Sequence, residues 1–412
     1  MNSDFSKLIS RSSCATAFMK DEITKICCEL PKRSPGSEGE YRAAEYMADT
    51  LKTRCGCVVP IIESFKEHPD SFYGYCRISG IIDSLACIGF FVHPAVSLAS
   101  GCISLFLFLF FFVFYLPVID WLFPEREGTN VTSVRPCSGE VKRRVFFNGH
   151  VDAAWEFTLN YHFGGIIFEI PNVMALIGVV FYLVLSVCSL SGAGKWTQTA
   201  ALWGILFLPF FIAVFFTYNP RIVVDGANDN LSGCYMGISL LHEMEENGMN
   251  LENTEVGVIL TGSEEAGLRG AKAWSKKHQS DYRDVPTYII SFDTIHDPNF
   301  LMVNERDLNG TVKSDAALSE LFLKAAVNAD VTCSKGAVPL FGGATDSAAF
   351  TQGGFRSIGV TGLNHKLEDY YHTRRDTWDN INDAGLENCY KATVRMLELL
   401  DSGVLDQPPK EL

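Results

Sequence analysis

The chain has no CxxC pair, no Lys/Arg block that rises above its acidic background, no internal repeat and no low-complexity linker. Each absence excludes something. Its thirteen cysteines are an odd number without regular spacing, and Cys27–Cys28 and Cys55–Gly56–Cys57 match neither a zinc nor a redox framework. They read as buried thiols of a reducing compartment. A net charge of −14, with no basic block above the acidic background, excludes nucleic acid as a partner. Asp and Glu are scattered, as on a solvated surface. The first thirty residues lack the uninterrupted apolar core of a signal peptide, so nothing at the amino end is expected to send the chain across a membrane.

What is present in excess is apolar length. Of 412 residues, 47% are hydrophobic and 20% charged, which suits a globular body carrying some membrane-embedded material. Ile81 to Phe123 reads IIDSLACIGFFVHPAVSLASGCISLFLFLFFFVFYLPVIDWLF, with Cys102 to Phe123 long enough to span a bilayer core. The turn-like Ser100–Gly101 is expected to fold Ile81–Ala99 back on it as a hairpin. A second stretch, from about Asn172 to Tyr218, holds two apolar runs around the polar turn SGAGKWTQT. Neither Ile103–Ile119 nor Ala200–Phe216 shows the polar stripe of a soluble core helix. Trp121, Trp196, Tyr115 and Tyr218 near the ends suit membrane interfaces, and Pro117 and Pro209 are tolerable inside membrane helices. The lipid bilayer is therefore an expected partner, through four transmembrane helices.

The turns carry only Lys195, whereas the other flanks hold Lys66, Arg77, Arg126 and Arg221. This bias places the rest of the chain in the cytoplasm. Asn130-Val131-Thr132 matches a glycosylation sequon, read as chance in a cytoplasmic segment. The expected division is residues 1–80, 124–168 and 219–412 for one catalytic body, interrupted by hairpins at 81–123 and 169–218. Within that body, Tyr41 to Lys52 is an amphipathic helix, and VVPIIESF, FYGYCRI, NVTSV and RRVFFNG are strands. Strand–helix alternation then continues through CYMGISLLHEMEE, EVGVILTG, AKAWSKKH and TYIISFD, Asp315 to Asn328 forms a further helix, and Tyr390 to Leu400 closes the chain. Such alternation gives an α/β fold, with a mixed, mostly parallel central sheet flanked by helices. The polar tail LDQPPKEL is expected to fray.

Five short strings carry metal-type ligands: GHVDAAW, GANDNLSG, TGSEEAGLRGA, SFDTIHD and YYHTRRDTWDN. Their candidates are His150, Asp229, Glu265, Asp293 and His372, with Glu264 beside the third. His150 follows the run VFFNG and so lies at the carboxyl end of a buried strand, where α/β sheets place their sites. Asp152, two residues on, can accept the second ring N–H of His150 and fix the imidazole. Asp229 sits in a tight turn opening a helix, where negative charge is favoured, and its two oxygens can bridge two cations. Alone it would read as a helix cap. Glu264 and Glu265 end an apolar strand and point apart, so one can bind metal while the other faces bound water. Asp293 ends TYIISF, and His372 comes from a loop. Two imidazoles and three acids, one shared, suit a pair of zinc ions about 3.5–4 Å apart.

These strings, together with RSPGSEGEYRAAEYMADTLK, resemble the zinc exopeptidase family of dizinc aminopeptidases, which also includes glutamate carboxypeptidases and, more distantly, glutaminyl cyclases. The resemblance covers about Lys20 to Leu400 apart from the apolar insertions. It implies a phosphorylase/hydrolase-like zinc exopeptidase fold and two zinc ions. One would take Asp229, Glu265 and His372, and the other His150, Asp229 and Asp293. Glu264 would be the general base and Asp152 the residue that orients His150. A cis peptide after the bridging acid, at Asp229–Asn230, is also implied. In GGATDSAAF the chain departs from the family's usual Asp-His, and Asp346 there reads as a support for the loop or as a packing residue.

The expected activity is hydrolysis of N-terminal residues from small, rather apolar peptides near the membrane surface. A carboxypeptidase, an N-acyl amino acid amidohydrolase of the same fold, and a catalytically silent membrane scaffold are the alternatives. The silent scaffold is disfavoured because such proteins lose ligands and none is missing here.

Overall fold

The computed structural model describes residues 3–339, 342–366 and 368–406. Helices α1 (Ser3–Ser10) and α2 (Ser12–Glu29) lead to α3 (Glu38–Arg54), where the Ser37 hydroxyl accepts the Glu40 N–H. Ala43, Ala44, Met47 and Leu51 form the fully buried stripe of α3, as their spacing predicts. β1 (Ile61–Glu67) precedes the long helix α4 (Asp70–Val92), followed by α5 (Pro94–Leu107), which continues as a π-helical turn to Val113. After β2 (Arg126–Arg135) and β3 (Arg143–His150) come β4 (Trp155–Glu156), α6 (Thr158–Phe163) and α7 (Gly165–Leu190). The next long helix is α8 (Trp196–Gly204) joined through 3₁₀ turns to α9 (Leu208–Ala213), and β5 (Asn219–Val223) pairs back with β4.

The chain then alternates in the way the apolar runs suggest. It forms α10 (Ser232–Glu246), β6 (Thr254–Thr261), α11 (Arg269–His278), β7 (Thr287–Ile295), β8 (Leu301–Asp307) and β9 (Val312–Lys313). α12 (Ala316–Asn328), β10 (Ser334–Ala337), α13 (Asp346–Gln352), β11 (Arg356–Gly362) and α14 (Asp383–Asp401) complete it. Residues 407–412 of the tail expected to fray lie outside the described residues.

The main sheet is mixed, in the order β1-β2-β6-β3-β7-β11-β8-β10, with β9 on β8. Its centre is parallel, β6 to β3 to β7 to β11; β1, β2 and β8 join it antiparallel, and the edge strand β10 pairs parallel with β8. Alternation along a strand sends neighbours to opposite faces. Phe147 joins the core beneath α2, α3, α10 and α14, while Phe146 joins the core beneath α11 and α13. The second core also takes Phe72, Leu107, Phe111 and Tyr115, so the first hairpin is rooted in the body of the protein.

Four helices are long and apolar enough to cross a membrane: Asp70–Val92, Pro94–Val113, Gly165–Leu190 and Trp196–Phe216. At ~1.5 Å per residue each reaches about 30 Å or more, the thickness of a bilayer's hydrocarbon core. Their outer faces are unburied and apolar, with Ile81, Leu85, Ile88, Val184 and Leu206 each at least half exposed. Exposed apolar faces of this kind mark protein or membrane interaction sites.

Their ends differ from the expected ones. FYGYCRI is not a strand but the start of α4, and the hairpin turns at His93–Pro94 rather than Ser100–Gly101. Proline is well placed in a first helical turn, and the extended His93 caps α5 by accepting the Ala95 N–H at 3.2 Å. Gly101 is mid-helix because Leu183 of α7 packs where a side chain would stand, a Cβ there lying 2.8 Å from Leu183. The second hairpin starts at Gly165, not near Asn172. Trp121 and Trp196 are exposed as interface anchors would be, but Tyr115 and Tyr218 are buried against the body, and Pro117 falls beyond the helix. Asn130 of the sequon is buried, its amide donating to the Gly270 carbonyl at 3.0 Å, so the folded chain offers no glycan acceptor there.

Candidate metal centre

Parallel strands β3, β6 and β7 end side by side, and each delivers its candidate at the carboxyl end. His150 is the last residue of β3, Glu264 and Glu265 follow β6, and Asp293 lies near the end of β7. Asp229 comes from the turn that opens α10, and His372 from the loop between β11 and α14. Close approach of strand to helix is needed for this. A Cβ on Gly149, next to His150, would stand 2.3 Å from the Cys234 nitrogen of α10.

The structure brings all seven sequence-derived candidates into one cluster. Asp229 turns Oδ1 to His150 Nε2 at 3.2 Å and Oδ2 to His372 Nε2 at 3.1 Å, so its two oxygens face the two imidazoles. Glu265 Oε1 lies 3.1 Å from His372 Nε2, and Glu264 Oε2 lies 3.9 Å from His150 Nε2. Ligand atoms lie within 4.8 Å of one another in three trios: His150, Asp229 and Asp293; Asp229, Glu265 and His372; His150, Glu264 and Glu265. The first two trios share Asp229. The Asp229–Asn230 peptide is cis.

Asp152 does more than the single orienting role expected of it. Its Oδ1 is 3.4 Å from His150 Nδ1. The same carboxylate accepts the backbone N–H of Glu264 through Oδ1 and of Glu265 through Oδ2, each at 3.0 Å. One fully buried side chain thus fixes three of the clustered groups.

Three further supports escaped the sequence reading. Asp376 accepts the backbone N–H of Asn228 at 2.9 Å and of Asp229 at 3.0 Å, together with the Asn228 amide. It stands in the same string as His372, yet Asp379 there is an equal candidate by spacing. The buried Arg33 guanidinium donates to the carbonyls of Val151 and Gly226, tying together the loops that carry Asp152 and Asp229. Glu40 accepts the Ser263 N–H and the Thr129 N–H beneath the Glu264 loop. Asp346 bonds the Thr261 hydroxyl at the end of β6, a supporting position. His372 takes a left-handed backbone (φ 51°), held by the Phe157 N–H donating to its carbonyl at 2.7 Å.

The electrostatics of this cluster are those of a site built for cations. Five carboxylates, Asp152, Asp229, Glu264, Glu265 and Asp293, face two imidazoles in a largely dry pocket. Burial pushes the Asp293 carboxyl up to about 8, with the Asp229 charge adding to it. Burial also raises Glu264, and Glu265 and Asp293 reinforce this against His150. Burial opposes charge on His372, but Glu265 and Asp229 overcome it and hold the ring's pKa up at about 10. Asp229 stays below the usual carboxylate range despite burial, because both imidazoles stand against its oxygens, at 3.2 and 3.1 Å. Unmetallated, the site uses its histidines as counter-cations.

Hard carboxylate oxygens with borderline imidazole nitrogens and no thiolate fit divalent zinc. Buried His150 Nε2 and Glu265 Oε1, without hydrogen-bond partners among the described residues, fit it as well. Cys234, the nearest thiol, gives its S–H to the His150 carbonyl instead.

Above the cluster opens a cavity of about 430 Å³, lined by Asp229, Glu264, Glu265, Asp293 and His372 at its floor and by residues of α4, α5 and α7 on its walls. A second hollow, beside Phe18 and Trp378, lies away from this chemistry and is lined mainly by solvated charge.

Residues 213–397 match the model of Peptidase family M28. Among solved structures, the chain is similar to an aminopeptidase from Aneurinibacillus sp. strain AM-1, at 12% identity and TM-score 0.55, covering 93% of each chain. It is similar also to BSAP, a zinc aminopeptidase from Bacillus subtilis, at 11% identity and TM-score 0.56, covering 93% of this chain and 95% of that one. A glutaminyl cyclase from an Acidobacteriales bacterium matches at 12% identity and TM-score 0.53, over 94% and 95%. At these identities the likeness is one of fold. No curated protein sequence matches the chain significantly.

Proposed function

The chain carries a peptidase family M28 domain and is a zinc metallopeptidase, and from that premise we propose that it is a membrane-anchored dizinc aminopeptidase. In this reading one catalytic body is interrupted by two transmembrane hairpins and faces the cytoplasm. It removes N-terminal residues from small, apolar peptides at the bilayer surface. The observation that carries the reading is Asp229, whose two oxygens face two imidazoles, one from before it in the chain and one from after it.

His150, Asp229 and Asp293 would hold one ion, and Asp229, Glu265 and His372 the other. Bound there, zinc makes water nucleophilic near neutral pH and polarises the carbonyl it contacts. Glu264 is left free of that ligation. Its buried carboxylate takes the proton of the attacking water and returns it to the leaving amine. Asp152 holds Glu264 and Glu265 by their backbone N–H groups, and its main-chain carbonyl, 3.3 Å from His150 Nδ1, together with its carboxylate at 3.4 Å, keeps the His150 Nε2 lone pair toward the cluster. Asp376 anchors the Asp229 turn from below.

A scan of aminoacyl and N-blocked dipeptide substrates with added zinc tests the proposal. Release from free but not from blocked N-termini supports an aminopeptidase, and the reverse pattern moves the activity to an amidohydrolase or carboxypeptidase.

A further inference from the structure

The cavity does not stop at the catalytic floor. Its wall on α4 is a single helical stripe, Phe72, Tyr75 and Cys76, Ser79 and Asp83, recurring every three to four residues. On α5 and its π-helical continuation the stripe is Ser104, Phe108 and Phe112, and on α7 it is Phe168, Glu169, Asn172, Ala175 and Val179. All four apolar spans therefore contribute to a common space, the fourth only through Val214, and turn their other faces outward to lipid. From Phe72 to Asp83 the wall rises roughly 16 Å at ~1.5 Å per residue.

Glu169, Asn172 and Thr217 add polar groups to a wall that is otherwise largely aromatic and aliphatic. The far end is polar, where buried Ser79 and Asp83 present Ser79 Oγ and Asp83 Oδ1 without hydrogen-bond partners among the described residues. An ionisable side chain inside a membrane span is expensive to bury and marks a ligand path more often than packing.

We infer that this arm binds one linear alkyl chain attached to the scissile amide, and that Asp83 and Ser79 end it like a stop. The substrate class is then a membrane-dissolved amide with a single aliphatic tail, entering between the helices. For the reacting group this rests on the proposed function: water adds its oxygen to the carbonyl carbon, the C–N bond breaks, and the amine leaves with the proton. At about 1.2 Å per bond of an extended chain, 16 Å accommodates roughly thirteen bonds. A shorter tail leaves wall uncovered, and a longer one must press methylenes against a buried acid.

The test uses the full chain in lipid nanodiscs with two series, leucine N-alkylamides and N-acyl leucines, of two to eighteen carbons. Rates are normalised to the substrate dissolved in the bilayer, so that partitioning alone gives a flat profile. The inference expects a maximum near twelve carbons in one of the series and at least a tenfold fall by eighteen. Separately, a dodecyl leucinamide with a terminal diazirine is photolysed with the Glu264→Gln protein, and the labelled residues are mapped. Label on Cys76, Ser79, Asp83, Phe108 or Val179 supports the arm even if no amide is hydrolysed, in which case it is the peptidase reading that fails. Label confined to the lipid-facing Ile81, Leu85 and Ile88, with a flat chain-length profile, overturns the inference while cleavage of short peptides keeps the peptidase reading intact.

Discussion

Replacing Glu264 by Gln separates catalysis from metal binding in this site. The Glu264 backbone N–H stays on Asp152, and the isosteric amide gives up only the 3.9 Å charge contact with His150 Nε2. The folded protein loses one of five crowded buried carboxylates, and in the metal-free state its stability should hold or rise. His150, Asp229, Glu265, Asp293 and His372 are untouched, so metal content should not change. What is lost is proton transfer, worth typically 10²–10⁴-fold, or about 3–5 kcal/mol of barrier. The assay is kcat and KM on a free-N-terminal dipeptide with zinc measured on the same samples. The expectation is kcat down at least a hundredfold, KM within a few-fold and zinc unchanged. Activity within tenfold of the parent at full zinc occupancy refutes the role given to Glu264.

Asp152→Asn should weaken zinc binding by about ten- to a hundredfold, because its amide nitrogen must face one of two backbone N–H donors now held at 3.0 Å. Equilibrium dialysis against a zinc buffer measures it, and an unchanged affinity contradicts the positioning argument. Zinc uptake should release protons. With the His372 pKa held up at about 10 in the unmetallated site, its ring is protonated at pH 7.5 and must lose that proton to ligate. Affinity therefore climbs by about one log unit per pH unit between about 8 and 10 and more steeply below about 8, where the Asp293 carboxyl must also lose its proton, and calorimetry in buffers of different ionisation enthalpy shows the release. Gly149→Ala should cost about 1–3 kcal/mol in chemical denaturation and displace His150, since the added carbon meets α10 backbone rather than a movable side chain. A wild-type melting curve with full activity would contradict that packing.

The catalytic body was largely legible in the sequence because its signals are local. A buried strand ending in a polar string announces both the strand and the side chain at its tip, as VFFNGH does for His150 and TYIISFD does for Asp293. The supports were less legible because they act at a distance. Nothing in RSPGSEG says that Arg33 will cross to Val151 and Gly226, and in HTRRDTWD only the fold tells Asp376 from Asp379. The long apolar helices differ from the expected ones at their ends for a related reason. FYGYCRI is aromatic and β-prone, and its helical stripe makes sense only once α5 and α7 face it across a cavity. Asn172 and Glu169 hid the start of α7 in the same way, since polar residues lining an internal space read as the end of an apolar span. Gly101 looked like a turn, and it is a contact site for Leu183.

Metal stoichiometry tests the central claim most directly. The detergent-purified chain, dialysed against buffered zinc and analysed by mass spectrometry of the metal together with amino-acid analysis, should carry two zinc ions, both lost in Asp229→Ala. One ion per chain, or two that survive removal of Asp229, would contradict a pair of cations joined by that carboxylate.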